Sequence, residues 1–380
     1  MSTCLFRQWA RRRAAFRAPL PLAILLSMLL LATLVTLARA AHAADPPALP
    51  ALQADLSQTS VSGLSSGAFM AAQFAVAYSA TVVGAGIIAG GPFYCAGYPG
   101  FAPFIPYLAN AMASCMNPAQ AHAPPPDASV SWQAANRFAQ AGQIDATSNL
   151  RRQRVYLFSG TSDQTVTQQV VAQTARFYGL AGVPAAQIAY VDNVDAGHAI
   201  ITADSHDVPC PATAVPYIND CHFLQAQDLL RFIYPGLNPP TSGALTGKLI
   251  PFNQRSFIHG PLSSMANTAY AYVPQACYQQ RCKVHVAFHG CQQGAAAIGD
   301  HFYARAGYNP VADSNGIIVL YPQVEPSPLY PYNPKGCWDF WGYTSVNPFL
   351  PSFYAKDGVQ MVAVMAMLQR LAGARSGIGH

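Results

Sequence analysis

The chain has 380 residues, 52% of them hydrophobic and only 10% charged, with 21 basic and 16 acidic side chains. Six of the arginines and none of the acids lie within residues 1–43, so the remainder carries fifteen basic and sixteen acidic groups, among them a single glutamate, Glu325. That near-neutral balance excludes the electrostatic footprint of a nucleic-acid binder, and the partners it suits are uncharged or weakly charged.

At the start of the chain Arg7, Arg11, Arg12, Arg13 and Arg17 precede an apolar run over residues 20–37 and a small-residue stretch over 38–44. A basic segment, an apolar segment and an Ala-x-Ala ending predict a secretory signal peptide over residues 1–43, cut after Ala43 or Ala40. The apolar run is short for a spanning helix and its flank is cleavable, so no permanent membrane anchor is expected. Residues 44–380 are then a secreted protein, large enough for one extensive core. No Gly/Ser-rich or Thr-rich linker divides them, so a single catalytic domain, acting as a monomer, is expected. The Pro-rich stretches 123–126 and 235–240 read as surface loops.

Beyond the signal the elements follow in order. Residues 58–62 read as a short strand, 66–79 as a helix with apolar residues at helical spacing, and 82–89 as a buried parallel strand. The pattern recurs with a strand at 154–159, a helix at 166–178 and a strand at 187–191. Later come apolar strands at 284–288 and 317–321 with a helix between them, and an amphipathic helix at 358–371 closes the chain. Alternation of this kind predicts an α/β fold with a mostly parallel sheet covered on both faces.

Eight cysteines follow the signal: Cys95, Cys115, Cys210, Cys221, Cys277, Cys282, Cys291 and Cys337. An even number in an exported chain predicts disulfides, and short-range closure suggests Cys95–Cys115, Cys210–Cys221, Cys277–Cys282 and Cys291–Cys337. The competing reading is a structural zinc site. No paired C-x-x-C supports it, and neither metal nor cofactor is expected.

The chemistry-bearing motif is Gly63-Leu64-Ser65-Ser66-Gly67. Alone it is a weak signal, but here it lies between a predicted strand and a predicted helix, where glycines permit the tight turn that lifts a serine hydroxyl above a sheet edge. A serine needs a histidine to take its proton and a carboxylate to orient that histidine. Both are expected after later strands, in the order Ser, Asp, His. Asp163 follows strand 154–159, and His198 follows strand 187–191. Asp163 has an alternative role as cap of the helix beginning near Val166. Asp192 and Asp195 compete as the carboxylate, and His206, His222, His259, His285, His289 and His301 as the base.

A tetrahedral intermediate also needs an oxyanion hole. One donor is expected from the backbone N–H of Ser66, at a helix start. The other belongs to a His-Gly loop that normally precedes the nucleophile. Here that loop is Phe288-His289-Gly290-Cys291, far downstream of Ser65. Circular permutation accounts for the rotated order, because domain termini lie close together on the surface, and it makes the Cys291 N–H the second donor. Trp338, Phe340, Trp341 and Tyr343 cluster beside Cys337; core packing explains part of the cluster, and Trp338 and Trp341 are candidates to wall an apolar ester cleft.

Together with Ser159-Gly160-Thr161-Ser162-Asp163, Gly197-His198 and Gly336-Cys337-Trp338-Asp339, these motifs resemble those of extracellular poly(3-hydroxybutyrate) depolymerases, of the single-domain, circularly permuted type. The resemblance implies an α/β-hydrolase fold, hydrolysis of short-chain polyhydroxyalkanoate esters, a triad of Ser65, Asp163 and His198, and oxyanion donors at Ser66 and Cys291. Many such proteins add a polymer-binding domain after the catalytic one. None follows in this sequence, so adsorption is expected to use the catalytic domain's own surface. A feruloyl or acetylxylan esterase is the rival within enzymes, and a non-catalytic protein adhering to hydrophobic granules is the rival outside them. The cysteine inventory is directly testable: peptide mapping of the mature protein without reductant is expected to find no free thiol. Two or more titratable thiols in the unreduced, unfolded chain would contradict four disulfides.

Overall fold

The computed structural model describes residues 45–97, 106–260, 262–347 and 349–375, and the expected signal peptide lies outside them. Internal contacts divide the chain into Met1–Asp45 and Pro46–His380, and the sheet and the site belong to the second unit.

Two strands and the helix between them open the fold: β1 (Thr59–Leu64), α1 (Ser66–Ala77) and β2 (Val82–Ile88). All twelve residues of α1 are buried, as an all-round apolar sequence requires. There follow α2 (Pro106–Met112), α3 (Ala128–Gln140), β3 (Arg154–Phe158), α4 (Gln168–Leu180) and β4 (Ile188–Val191). A small three-stranded sheet of β5 (Ile200–Thr202), β6 (Val208–Pro209) and β7 (Ile218–Asp220) precedes α5 (Gln225–Ile233). The chain then adds β8 (Lys248–Asn253), β9 (Thr268–Val273), β10 (Lys283–Phe288), α6 (Tyr308–Asn315), β11 (Ile317–Tyr321) and α7 (Val359–Ala372).

The main sheet has eight strands in the order β4-β3-β2-β1-β10-β11-β9-β8. Six are mutually parallel, and β9 and β8 form an antiparallel edge. That edge pair was not legible in the sequence. Pro251 interrupts the pattern of β8, which is tolerable only at a sheet margin, and three of the residues of β8 are half-buried while two are exposed. Counted from β8 instead of β1, the strand order becomes 1-2-4-3-5-6-7-8. The strands that open that count sit in the second half of the chain, which is the rotated order the motifs predict.

The four disulfides join Cys95 to Cys115, Cys210 to Cys221, Cys277 to Cys282 and Cys291 to Cys337, the pairs that short-range closure suggests.

Strands β1 and β10 pair in parallel, with Ser60 opposite His285 and Gly63 opposite Phe288. The His285 ring lies fully buried between two hydroxyls of β1, with Nδ1 2.7 Å from Ser60 Oγ and Nε2 2.7 Å from Ser62 Oγ. Ser62 Oγ is also 2.7 Å from the Tyr308 hydroxyl. Burial without a carboxylate partner pushes the His285 pKa down to about 3 from 6.5, because the low-dielectric interior penalises the cation.

The sign of the consequence follows from linkage. Between pH 6.5 and about 3 the unfolded chain binds a proton at this position that the folded chain refuses, so folding stability falls as pH falls through that window. Denaturant midpoints are expected to decline steadily there. The variant His285→Gln removes one proton from that slope, about 1.4 kcal/mol per pH unit. An unchanged slope in a folded variant would show that His285 is not a source of acid lability.

Candidate active site

Ser65 occupies the turn between β1 and α1 with φ 56° and ψ −123°, a left-handed region that a non-glycine residue adopts only when its surroundings enforce it. Its N–H donates to the Ile88 carbonyl at 3.0 Å, and its own carbonyl accepts from Ala68 and Phe69 at 2.8 and 3.0 Å. The glycines flanking it are required by close approach. A Cβ on Gly67 would sit 2.3 Å from the Phe288 carbonyl oxygen, and one on Gly63 2.4 Å from the Gly67 carbonyl. The first turn of α1 therefore packs directly on the end of β10, with the Ser66 N–H at the helix start.

Asp163 and His198 stand beyond the carboxyl ends of β3 and β4 and meet. Asp163 Oδ2 lies 2.7 Å from His198 Nδ1, and both side chains are almost fully buried. The other oxygen, Oδ1, accepts N–H bonds from Thr165 and Val166 at 2.8 and 3.0 Å. One oxygen therefore closes the turn at residues 163–166 and the other faces the imidazole, while the helix itself begins at Gln168 with Thr167 at its N-cap, so Asp163 is not its cap. The His198 loop is seated by its N–H donating to Thr213 Oγ1 at 2.9 Å and by the Gly197 N–H donating to the Cys210 carbonyl at 2.8 Å. Asp195, the competing carboxylate, instead accepts from the hydroxyls of Thr161 and Ser162 at the surface.

The histidine competitors divide by environment. His206 and His222 pair with Asp204 and Asp220 on exposed ground, and His285 belongs to the β1–β10 seam. His289 is fully buried after β10. Its Nε2 accepts the Val324 N–H at 3.1 Å, so the proton sits on Nδ1, which donates to the Gly290 carbonyl at 2.7 Å. Burial lowers its pKa to about 4. The ring therefore remains a neutral brace of the loop.

That loop runs against the serine turn: a Cβ on Gly290 would lie 3.5 Å from Ser65 Cβ. The Gly290 N–H donates to Gln293 Oε1 at 2.7 Å. The next N–H, that of Cys291, has no acceptor among the described residues. The Cys291–Cys337 disulfide carries the chain to Trp338, whose N–H donates to Ser66 Oγ at 3.2 Å. Serine turn and disulfide loop are thereby joined on both sides.

The aromatic residues separate. Trp338 is fully buried, edge-on to Phe288 with ring centroids 5.0 Å apart and tilted against His289 at 5.8 Å, so it presents no surface to solvent. Trp341 is half-buried, with Phe340 and Tyr343 each 4.9 Å away. Beneath them the fully buried Asp339 carboxylate accepts from the N–H groups of Trp341, Gly342, Tyr343 and Thr344 and from Thr344 Oγ1. Burial pushes the Asp339 pKa up despite these donors. Of the residues singled out in the sequence, Asp163 and His198 are brought into contact; Gln293 and Thr213 were given no part, since single amide and hydroxyl residues in loops carry no pattern, and Asp339 was placed only within the motif after Cys337, without a role. Large exposed apolar side chains stand on either side of this segment in the sequence, Leu329, Tyr330 and Tyr332 before it and Val346, Phe349 and Leu350 after it.

The strand order, the serine turn after β1 and the polar groups at the carboxyl ends of parallel strands define the molecule as an α/β-hydrolase, in which such edges hold the site. No family-wide sequence model matches the chain. It is 42% identical over 330 residues to the poly(3-hydroxybutyrate) depolymerase of Delftia acidovorans, covering 85% of this chain and 61% of that protein. It is 35% identical over 339 residues to the polyhydroxybutyrate depolymerase of Talaromyces funiculosus, covering 84% of this chain and 91% of the relative. Among solved structures it resembles the PHB depolymerase from Penicillium funiculosum, with TM-score 0.74, 33% identity, and coverage of 86% of this chain and 98% of that one. A PHB depolymerase complexed with an R3HB trimer matches with TM-score 0.73 and 32% identity, over 86% of this chain and 98% of that one. The chain belongs to the PHB depolymerase family.

The competing carboxylates are separable by mutation. Asp163→Asn is expected to lower kcat on a soluble short-chain ester by about 10⁴, by releasing the wrong histidine tautomer, whereas Asp195→Asn leaves kcat within about threefold because surface polar changes rarely matter more. The assignment fails if Asp195→Asn is the more damaging.

Proposed function

We propose that residues 44–380 form one secreted catalytic domain that, as a monomer and without a cofactor, hydrolyses the ester bonds of poly(3-hydroxybutyrate) and its oligomers. The observation that carries the reading is the buried Asp163–His198 pair at the same sheet edge as the strained Ser65 turn, with the His289-Gly290-Cys291 loop laid against that turn.

In the proposed cycle Ser65 Oγ attacks the ester carbonyl carbon while its proton passes to His198 Nε2, the ring nitrogen left free by the Asp163 contact. The carbonyl oxygen, now an oxyanion, is held by the N–H groups of Ser66 and Cys291. Collapse breaks the carbon–oxygen ester bond, and His198 returns the proton to the departing alkoxide, which leaves as the hydroxyl end of one polymer fragment. Water then attacks the acyl-enzyme, giving its proton to His198, and collapse frees the carboxyl end and restores the serine hydroxyl. Asp163 orients His198 and stabilises the imidazolium throughout.

Substrate class rests on family membership and on the surface. An uncharged aliphatic polyester offers no ionic handle, so recognition draws on apolar burial worth about 25 cal/mol per Å². Leu329, Tyr330, Tyr332, Val346, Phe349 and Leu350, all exposed and close in sequence to the Cys337–Tyr343 segment, supply apolar surface for it. Trp341 has the partial exposure to line a cleft, and Trp338 would act from behind it. A feruloyl or acetylxylan esterase would use the same triad, and a granule-binding protein would use the same surface without it.

The purified mature protein is expected to clear a poly(3-hydroxybutyrate) suspension and release 3-hydroxybutyrate or short oligomers, with little dependence on ionic strength. Replacing Leu329, Tyr330 and Phe349 together by Ser should slow clearing severalfold while leaving a soluble short-chain ester unaffected. Efficient hydrolysis of feruloyl or acetyl polysaccharide esters with the suspension left turbid would overturn the reading, as would failure of a serine-directed phosphonate to label Ser65.

A further inference from the structure

Gln293 is fully buried, and its amide uses its donors and an acceptor on two different loops. Oε1 accepts the Gly290 N–H at 2.7 Å, and Nε2 donates to the carbonyls of Pro216 and Tyr217 at 3.1 and 3.0 Å. The segment from Cys210 to Tyr217 is the one that seats His198: Cys210 accepts the Gly197 N–H, Thr213 accepts the His198 N–H, and Tyr217 accepts the Ile200 N–H. One side chain therefore spans from the loop beside Ser65 to the platform beneath the histidine. The first loop follows β10 of the main sheet and the second follows β6 of the small sheet, and no backbone hydrogen bond among the described residues joins residues 289–291 to residues 209–217.

We infer that Gln293 is a positioning residue that fixes the oxyanion loop relative to the histidine loop, and that it selects the Cys291 N–H as the free donor by engaging that of Gly290. This rests on the esterase reading above. The effect belongs in kcat. An oxyanion donor acts on charge that exists only in the transition state, so misplacing it spares ground-state binding. Displacement of a catalytic group by about 1 Å costs on the order of 10²-fold. Without the amide, a buried N–H and two carbonyls lose their partner, and each must move to find another.

The test compares Gln293→Met and Gln293→Glu with Gln153→Met. Gln153 is also a fully buried bridging amide, donating to the carbonyls of Ala75 and Val82 at 2.8 and 3.1 Å, but at the amino-terminal end of the sheet. Gln293→Glu keeps the length and one oxygen for the Gly290 N–H and loses both donors, so it preserves the test if the Met variant does not fold. Each is measured for thermal midpoint and for kcat and KM on p-nitrophenyl butyrate. The expected result is a 10- to 100-fold fall in kcat for the Gln293 variants with KM within about twofold, while Gln153→Met loses a comparable midpoint and keeps its kcat. A folded Gln293 variant with kcat within threefold of the parent overturns the inference, as does a kcat loss that simply tracks midpoint across all three variants. A parent protein that neither turns over the ester nor takes phosphonate at Ser65 would instead overturn the esterase reading itself.

Discussion

The pairing of β1 with β10 is the constraint on which the rest of the site depends. One strand leads into Ser65 and Ser66, the other into Gly290 and Cys291, and the distance between the serine turn and the His289–Cys291 loop is set by their register. Two glycines allow the contact, since a Cβ at Gly63 or Gly67 would collide with backbone. A parallel pair slipped by one residue would turn every side chain to the other face. The His285 ring, held between Ser60 and Ser62, makes such a slip costly because both of its buried ring nitrogens would lose their hydroxyl partners.

Three fully or almost fully buried histidines lie at or under this edge, and their partners divide their labour. His285 faces hydroxyls and His289 faces a carbonyl and an N–H, so burial dominates and both stay neutral over the pH range in which a hydrolase works. Of these three, only His198 faces a carboxylate, that of Asp163 at 2.7 Å. The same residue type thus serves as brace in two places and as candidate base in the third, and the difference lies in a single Asp163 contact.

Much of this was legible in the sequence. The strands that lead into Asp163, His198 and His289 are largely apolar runs bounded by polar turns, the one before Ser65 was marked by the Gly63–Gly67 motif that follows it, and the chain order of the motifs already implied a rotated fold. The four cysteine pairs were legible because each cysteine bonds to its neighbour in chain order. What escaped had weak local signals. Strand β8 carries a proline and mostly partly exposed side chains, and the strands of the small sheet are only two or three residues long. Trp338 illustrates a different limit: position beside Cys337 marked it as a neighbour of the site, but sequence does not tell the inside of a wall from its face, and the ring is wholly buried. Gln293 was invisible because its role exists only when two loops separated by some 75 residues are brought together.

The segment after the Cys291–Cys337 disulfide explains how a buried site can serve an insoluble substrate of the proposed kind. Five donors converge on Asp339 and lock residues 339–344 into one turn. Asn333 fastens the preceding loop to the same place, donating to the carbonyl of Cys337 at 2.9 Å and accepting its N–H at 2.9 Å. The exposed side chains of Leu329, Tyr330, Tyr332, Val346, Phe349 and Leu350 therefore flank in sequence a hydrogen-bonded base that the Cys291–Cys337 disulfide ties to the His289–Cys291 loop. Ordering flexible loops on contact with a surface consumes binding free energy, and a mouth already ordered retains it. Charge would add nothing against an uncharged polyester, which is consistent with the near-neutral balance of residues 44–380. The burial of Asp339, although it raises that carboxyl's pKa, thus has a structural return: it fixes residues 341–344 next to the disulfide that leads to the His289–Cys291 loop.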